Sequence, residues 1–232
     1  MQIEAKPMST DYNERVGCWT MPCIRESLPY IEKYIIEMSN TDPARFQDVE
    51  RPFVVAEFGC ATGFSSIESL ATIIKTVKHI SPKLPILIYL NDLPSNHHEI
   101  AINTVTNGLF GEQSGMMKPK CREGVYIYIA GKDFTKKVFP EGYVDFGFSN
   151  MAAATLPNFP SNLTNCYFMS TDKVVSTTDG QIWVESFRDF LTTFMKSRLS
   201  ELKKGGLFLL VTQSTSLDPL VKTYQTKEEI FY

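Results

Sequence analysis

Short apolar blocks that alternate with longer segments of helical spacing constrain the fold of this chain most strongly. The apolar blocks are 52–58, 86–90, 125–130, 143–149 and 207–212. Apolar residues recur at helical spacing around 29–39 and within 67–80, 100–106 and 184–198. Strands that are apolar along their whole length are typical of parallel sheets with helices on both faces. The sequence therefore predicts an α/β fold, with a doubly wound, mostly parallel Rossmann-like sheet of five strands flanked by helices.

Local signals predict how these elements are connected. The mostly polar stretch 40–50 predicts a loop, and the four glycines of 107–124 predict a mobile connection. Asn96 and Glu99 resemble a capping pair that opens the helix after the second strand. Gly205 and Gly206 predict the end of the last helix.

Length and charge limit the classes of function. With 232 residues, of which 43% are hydrophobic, the chain predicts a single domain over 1–232. A net charge of -3 and the absence of a basic run argue against nucleic-acid binding. No signal peptide and no membrane-spanning stretch is found, so the sequence predicts a cytoplasmic protein without membrane contact.

The sequence lacks the spacings of a metal site or a catalytic triad. Its five cysteines are scattered without CxxC spacing, and no serine lies in a GxSxG context. His97 and His98 are adjacent, so their side chains point in different directions on a helix, and both are predicted to be solvent-exposed. We therefore expect no metal and no catalytic histidine.

The first motif follows the first strand. Glu57, Gly59 and Gly63 form the pattern ExGxxxG, in which an acid ends the strand and glycines precede a helix. A GxGxxG turn would suit a pyrophosphate, whereas an acid here suits a ligand with an ammonium group. The alternative is that both glycines only make a tight turn.

The second motif, at the end of the second strand, is Asn91-Asp92-Leu93-Pro94. An acid at this point can accept hydrogen bonds from both ribose hydroxyls of a nucleoside, and Leu93 can pack on its base. Alone, the motif would indicate an Asx turn. Together the two motifs predict nucleoside binding, and the missing GxGxxG pattern disfavours NAD.

The hexapeptide 91–96 closely resembles the NDLPGND signature of the SABATH methyltransferases, the salicylic acid, benzoic acid and theobromine group. The family's DLGCSSG segment resembles 57–63, its SFYxRLFP segment resembles 133–140, and its DFxxFLxxRSxEL helix resembles 187–202. The chain thus resembles a class I S-adenosylmethionine-dependent methyltransferase over most of its length.

The resemblance implies S-adenosylmethionine as the cofactor and assigns its binding residues. The methionine moiety is expected near Glu57, Cys60 and Ser65, and the ribose on Asp92. The expected neighbours of the adenine are Leu93, Asp133 and Phe134. The rest of the predicted cofactor site comprises Tyr12, which closes over the cofactor, Gly59, Gly63, Ser149 and Asn150.

The acceptor side departs from the family pattern. Thr155 stands where the family's SSYSLMWLS stretch has its tryptophan, and the family's NSxxQ segment has no clean match in 15–20. The expected acceptor pocket comprises Trp19, Phe148, Met151 and Thr155. Family members usually continue into a helical cap and final strands, so we expect the cap to be reduced or absent in this chain.

The resemblance implies methyl transfer to a small-molecule acceptor, favouring a carboxylate oxygen, by in-line displacement without a catalytic acid or base. Within the same family, the alternative reaction is N-methylation of a heterocycle. The alternatives are a weakly active cofactor-binding or dimerisation partner of a full-length relative and, more distantly, an NAD-dependent oxidoreductase. Among partners, the prediction also allows for a homodimer.

Overall fold

The computed structural model describes residues 12–117, 119–154 and 177–212, and the structural statements below concern those residues. Five strands form one sheet: β1 (Phe53–Phe58), β2 (Ile86–Asp92), β3 (Val125–Gly131), β4 (Val144–Asn150) and β5 (Leu202–Val211). All neighbouring strands pair in parallel, in the order β3-β2-β1-β4-β5. The predicted parallel sheet is confirmed.

Helices cover both faces of this sheet. They are α1 (Tyr12–Thr41), α2 (Pro43–Gln47), α3 (Ile67–Ile80), α4 (His98–Phe110) and α5 (Thr177–Glu201). The larger core cluster joins one sheet face to apolar residues of α1, α3 and α4. A second cluster joins Phe58, on the opposite face, to Phe194 of α5. The two cores make the sheet doubly wound, as predicted.

The central strands β1 and β4 are buried along their whole length. Burial on both faces explains why their sequences are nearly continuous apolar runs. The chain order reverses between β1 and β4, because β2 and β3 lie on one side of β1 and β4 and β5 on the other. Ligands of such sheets bind at the carboxyl ends of the strands beside this switch point.

Several helix boundaries differ from the sequence prediction. The predicted loop 40–50 contains the short helix α2, and α1 continues through Pro22 and Pro29. Its buried residues Ile24, Ile31 and Ile35 recur at helical spacing against the core, and this packing offsets the loss of backbone bonds at proline. The connection predicted for 107–124 starts later, because α4 extends to Phe110.

The prediction that Gly205 and Gly206 end the last helix is wrong. Helix α5 ends at Glu201, and both glycines lie within β5, where the pairing with β4 shifts register. Gly205 has φ of +74°, and a Cβ atom on Gly206 would approach backbone oxygens at 2.9 to 3.1 Å. Arg45 of α2 donates hydrogen bonds to the carbonyl oxygens of Lys204 and Gly205. The glycines therefore form a bulge in the strand.

Candidate functional site

The loop after β1 is anchored to the end of β2. The backbone N–H groups of Gly59 and Cys60 both donate to the carbonyl oxygen of Asn91, at 2.9 and 3.0 Å. Gly63 has φ of +82°, and a Cβ atom there would lie 2.8 Å from the carbonyl oxygen of Ala101 on α4. Ala61 also has a positive φ, of 49°, which is strained for a residue with a side chain. The loop therefore depends on glycine where it turns and where it meets α4.

Gly59 packs closely against other segments of the protein. Its φ is +82°, and a Cβ atom added there would collide with the side chain of Ala152, just beyond β4. The ring of Phe134 would lie 3.3 Å from the same atom. The absence of a side chain at Gly59 thus lets the segments after β1 and β4 pack together. This packing accounts for a glycine at position 59, and the predicted contact of Gly59 with the cofactor stays a prediction.

Glu57, near the end of β1, carries a completely buried carboxyl group, with 0% exposure. Neither of its oxygens has a hydrogen-bond partner in the described part of the chain. Burial raises the pKa of Glu57 to about 8; the hydroxyl of Ser66 opposes this shift, and the negative charge of Asp92 adds to it. Ser66 is near enough to influence the carboxyl group but does not have hydrogen-bond geometry toward it. Unpaired buried polar atoms of this kind are rare in native proteins, so these two oxygens call for an explanation such as a bound group or a functional role.

Asp92, at the end of β2, has a carboxylate that is largely buried and already engaged. Its Oδ1 accepts the backbone N–H of Leu93 at 2.8 Å, and its Oδ2 accepts that of Ala61 at 2.7 Å. Burial raises the pKa of Asp92, against the effect of these two hydrogen bonds and of His98. Each carboxylate oxygen has two lone pairs, so both can accept one further hydrogen bond. Asp92 therefore links the loop after β1 to the loop after β2, and its oxygens can still accept hydrogen bonds from a diol.

Cys60 lies near both acids and is completely buried. Burial, together with the charges of Glu57 and Asp92, raises the pKa of the Cys60 thiol well above its usual value. The thiol therefore stays protonated at neutral pH. It behaves here as a small apolar side chain and not as a nucleophile.

Two polar residues around Asp92 have roles that the sequence prediction missed. The Asn96 amide donates to the carbonyl oxygen of Ala61 at 2.7 Å, and the N-cap residue of α4 is His97, which makes no side-chain capping bond. The predicted Asn96–Glu99 capping pair is therefore wrong. His98 was predicted to be exposed, but it is half-buried and neither ring nitrogen has a hydrogen-bond partner among the described residues.

The end of β4 closes the site on its other side. The Ser149 hydroxyl donates to the carbonyl oxygen of Phe58 at 2.9 Å. The amide nitrogen of Asn150 donates to the carbonyl oxygen of Ser65 and to the hydroxyl of Ser69, at 3.0 and 3.1 Å. The carbonyl oxygen of the Asn150 side chain is buried without a partner in the described chain. Asn150 thus presents a second unpaired acceptor at the carboxyl edge of the sheet.

The predicted acceptor residues are only partly described. Phe148 is completely buried in the main core, and its predicted role in the acceptor pocket stays a prediction. Met151 is half-buried at φ of +65°, a strained conformation directly after β4. The side chains of Tyr12 and Trp19, and all of Thr155, lie outside the described residues.

The segment after β3 carries the residues predicted beside the adenine. Asp133 accepts the backbone N–H of residue 135 at 2.9 Å, which makes an Asx turn with Phe134 at its centre, and the ring of Phe134 is half-buried. Arg198 of α5 donates to the carbonyl oxygens of Phe134 and Lys136, at 2.6 and 2.9 Å. The end of α5 therefore holds this segment against the sheet.

Two absences hold for the part of the chain that the structure describes. No cluster of three or more histidine, cysteine or acidic side chains there is arranged to bind a metal ion. No helix within the described ranges is long and apolar enough to cross a membrane.

The strand order and the acids at the ends of β1 and β2 are consistent with a Rossmann-like α/β domain, a class that binds nucleotide ligands at the carboxyl ends of its strands. The profile of the S-adenosylmethionine-dependent carboxyl methyltransferases matches residues 21–231. This chain belongs to that family, as its sequence motifs predicted. The family's cofactor is S-adenosylmethionine, and membership disfavours the NAD-dependent alternative.

Similar proteins agree with this assignment. A probable caffeine synthase of Camellia sinensis is 26% identical, over 91% of this chain and 57% of the relative. A loganic acid O-methyltransferase of Catharanthus roseus is 23% identical, over 90% of this chain and 56% of the relative. A solved structure of loganic acid methyltransferase with S-adenosylhomocysteine shares the fold, with a TM-score of 0.68 and 18% identity, over 89% of this chain and 57% of that one. The chain thus spans little more than half the length of these relatives.

Proposed function

We propose that this chain binds S-adenosylmethionine and supports methyl transfer to a carboxylate oxygen of a small acid. The observation that carries the proposal is that two buried acids lie near the carboxyl ends of adjacent strands. The carboxyl group of Glu57 has no hydrogen-bond partner among the described residues, and the carboxylate of Asp92 can accept further hydrogen bonds. An ammonium group and a ribose diol are the complements of these two acids.

The unpaired polar atoms fit the amino-acid end of the cofactor. An ammonium group has three N–H donors and no acceptor. The buried atoms without partners include both oxygens of Glu57 and the side-chain oxygen of Asn150, all of them acceptors. These two residues would hold the ammonium group, while Asp92 would accept the ribose hydroxyls and Leu93 and Phe134 would flank the adenine.

The chemistry that the cofactor supplies when bound is a methyl group on a sulfonium sulfur. A carboxylate acceptor is ionised at neutral pH, so its attack needs no general base. The protein's contribution is to bind, to orient and to exclude water, and positioning of this kind is worth roughly 7 to 11 kcal/mol. This accounts for a proposed site without a catalytic histidine. Residues of the acceptor side, with Met151 as the described candidate, would align the acid.

The experiment is a methyl-transfer screen with S-adenosylmethionine labelled on its methyl group, over aromatic acids, aliphatic acids and nitrogen heterocycles. A methyl ester releases labelled methanol on alkaline hydrolysis, whereas an N-methyl product does not. Base-labile product from an acid is the expected result. Transfer to heterocycles alone would replace O-methylation by N-methylation, and cofactor binding without any transfer would favour the role of a non-catalytic partner.

A further inference from the structure

The carboxyl group of Glu57 lies in surroundings that disfavour its charge. In the register of the sheet it is flanked by Leu90 of β2 and Phe148 of β4, both completely buried. No described residue forms a hydrogen bond with either oxygen. Such burial without partners makes the ionised form costly, and it raises the pKa of Glu57 to about 8.

Charged groups on the neighbouring elements do not compensate for this cost. Asp92 of β2 is itself acidic and raises the pKa of Glu57 further, and the buried thiol of Cys60 stays protonated. Arg25 of α1 is engaged by Glu68 of α3, with an N–O distance of 2.7 Å. Glu57 therefore has no positively charged partner among these side chains.

His98, on α4, influences the second acid, Asp92. Its positive form lowers the pKa of Asp92. Asp92 also accepts two backbone hydrogen bonds, which favour its ionised form, whereas Glu57 accepts none. Burial raises the pKa of both acids, but only Asp92 accepts hydrogen bonds that stabilise its charge.

We infer that Glu57 is protonated in the free protein and that binding of the cofactor's ammonium group expels this proton, so that binding is coupled to proton release. The inference rests on the proposed function, because the ammonium group belongs to S-adenosylmethionine. In this step the O–H bond of Glu57 breaks, the proton passes to the buffer, and the resulting carboxylate pairs with the intact ammonium group. No covalent bond to the ligand forms.

The pH dependence follows from the ordinary titration of one group. With a pKa of about 8 in the free protein, binding of the ligand in its ammonium form releases about one proton at pH 6 and about 0.9 proton at pH 7. The dissociation constant rises by roughly fifty-fold between pH 8 and pH 6, because the ligand must displace a proton that is held more firmly at the lower pH.

The test is calorimetric titration of the full chain in phosphate and in Tris, whose ionisation enthalpies differ, so that the difference in heat counts the protons released. The ligands are S-adenosylhomocysteine, which carries the ammonium group, and 5′-methylthioadenosine, which has the adenosine but no amino-acid portion. The second ligand engages Asp92 without supplying a cation to Glu57. We expect proton release and pH-dependent affinity with the first ligand and neither with the second.

A variant and its matched control assign the proton to Glu57. Glu57→Gln is expected to bind S-adenosylhomocysteine without proton release, whereas Glu99→Gln, at an exposed position of α4, is expected to keep it. If both ligands bind the unmodified protein and no proton is released, the inference is overturned and the proposed function stands. If equal release accompanies 5′-methylthioadenosine, the proton comes from Asp92 and the inference is again overturned. If neither ligand binds, the proposed function fails together with the inference.

Discussion

The guanidinium group of Arg198 and the carboxylate of Glu201 form a completely buried ion pair at the end of α5, with two N–O distances of 2.9 Å. Glu201 also accepts the backbone N–H groups of 138–139, and Arg198 donates to backbone carbonyls within 134–136. The guanidinium group lies over the ring of Phe58, 4.1 Å from its centroid. This pair thus ties the proposed adenine-binding segment to the sheet and to α5.

We expect Glu201→Gln to lower the free energy of unfolding by about 3 to 5 kcal/mol, because it leaves Arg198 charged, buried and unpaired. The control is Glu141→Gln, which removes a pair with Lys137 at 2.7 Å on the exposed surface. Exposed pairs contribute little, so no measurable change is expected there. Urea denaturation measures both variants. Equal effects of the two substitutions would show that burial does not make the Arg198–Glu201 pair important.

The packing of Gly59 against Ala152 predicts a second difference between matched variants. Gly59→Ala adds a Cβ atom that collides with Ala152, whereas Gly142→Ala, also at a positive φ, adds one in open space. The backbone penalty of roughly 1 to 2 kcal/mol is common to both, so Gly59→Ala should cost more by about 1 to 3 kcal/mol for overpacking.

Thermal and urea denaturation check this difference, and Ala152→Gly in the Gly59→Ala background should restore part of the loss. Failure of this double variant to recover any stability would contradict the assigned contact.

Asp92→Asn is expected to weaken binding of S-adenosylhomocysteine by roughly tenfold to a hundredfold, since hydrogen bonds to a charged group contribute about 1.5 to 3 kcal/mol. The variant should also lose stability, because one of the two backbone N–H groups bonded to Asp92 meets an amide nitrogen in place of an oxygen. Calorimetry and thermal denaturation separate the two effects. Asp42→Asn, at an exposed position, is the control. Unchanged affinity of Asp92→Asn would reduce Asp92 to a structural role.

The raised pKa of Glu57 predicts how stability varies with pH in the free protein. The folded state binds this proton up to about pH 8, while the unfolded state loses it near pH 4.5, so the folded state holds more protons between these values. The contribution of Glu57 to stability is therefore fully present below about pH 4.5 and is lost as the pH rises toward 8.

Glu57→Gln removes this titration. The free energy of unfolding of the unmodified protein should fall, relative to the variant, by on the order of a few kcal/mol between these pH values. Urea denaturation at a series of pH values measures the difference. A difference that does not change with pH would mean that Glu57 titrates normally in the folded state.

The structure also separates features that are local in the sequence from features that are not. The strands, the sheet class and the acids at the ends of β1 and β2 could be predicted, because burial on both faces of a strand imposes a continuous apolar run. An acid that interrupts the end of such a run is visible without knowledge of its neighbours. Glu57 and Asp92 were identified on this basis, and their strands lie side by side in the sheet.

Other predictions failed because the local sequence pattern favours one conformation, whereas a contact with a distant part of the chain stabilises another. Gly205 and Gly206 are typical of a helix end, yet Arg45, about 160 positions earlier, binds the bulge that they form. Asparagine is a residue type typical of a helix N-cap, but the side-chain amide of Asn96 donates a hydrogen bond to the carbonyl oxygen of Ala61. In both cases a tertiary hydrogen bond decided the conformation, and its partner lies too far along the chain for a local pattern to reveal it.

The sequence by itself determined the layered sheet and the residue types at its carboxyl edge, because hydrophobic periodicity and residue chemistry are properties of short segments. Only the tertiary structure decided which groups lack partners. Hydrogen-bond satisfaction depends on every element that surrounds a side chain, so the unpaired carboxyl group of Glu57 and the buried pairing of Arg198 with Glu201 became apparent only when β1, β2, β4 and α5 were placed together.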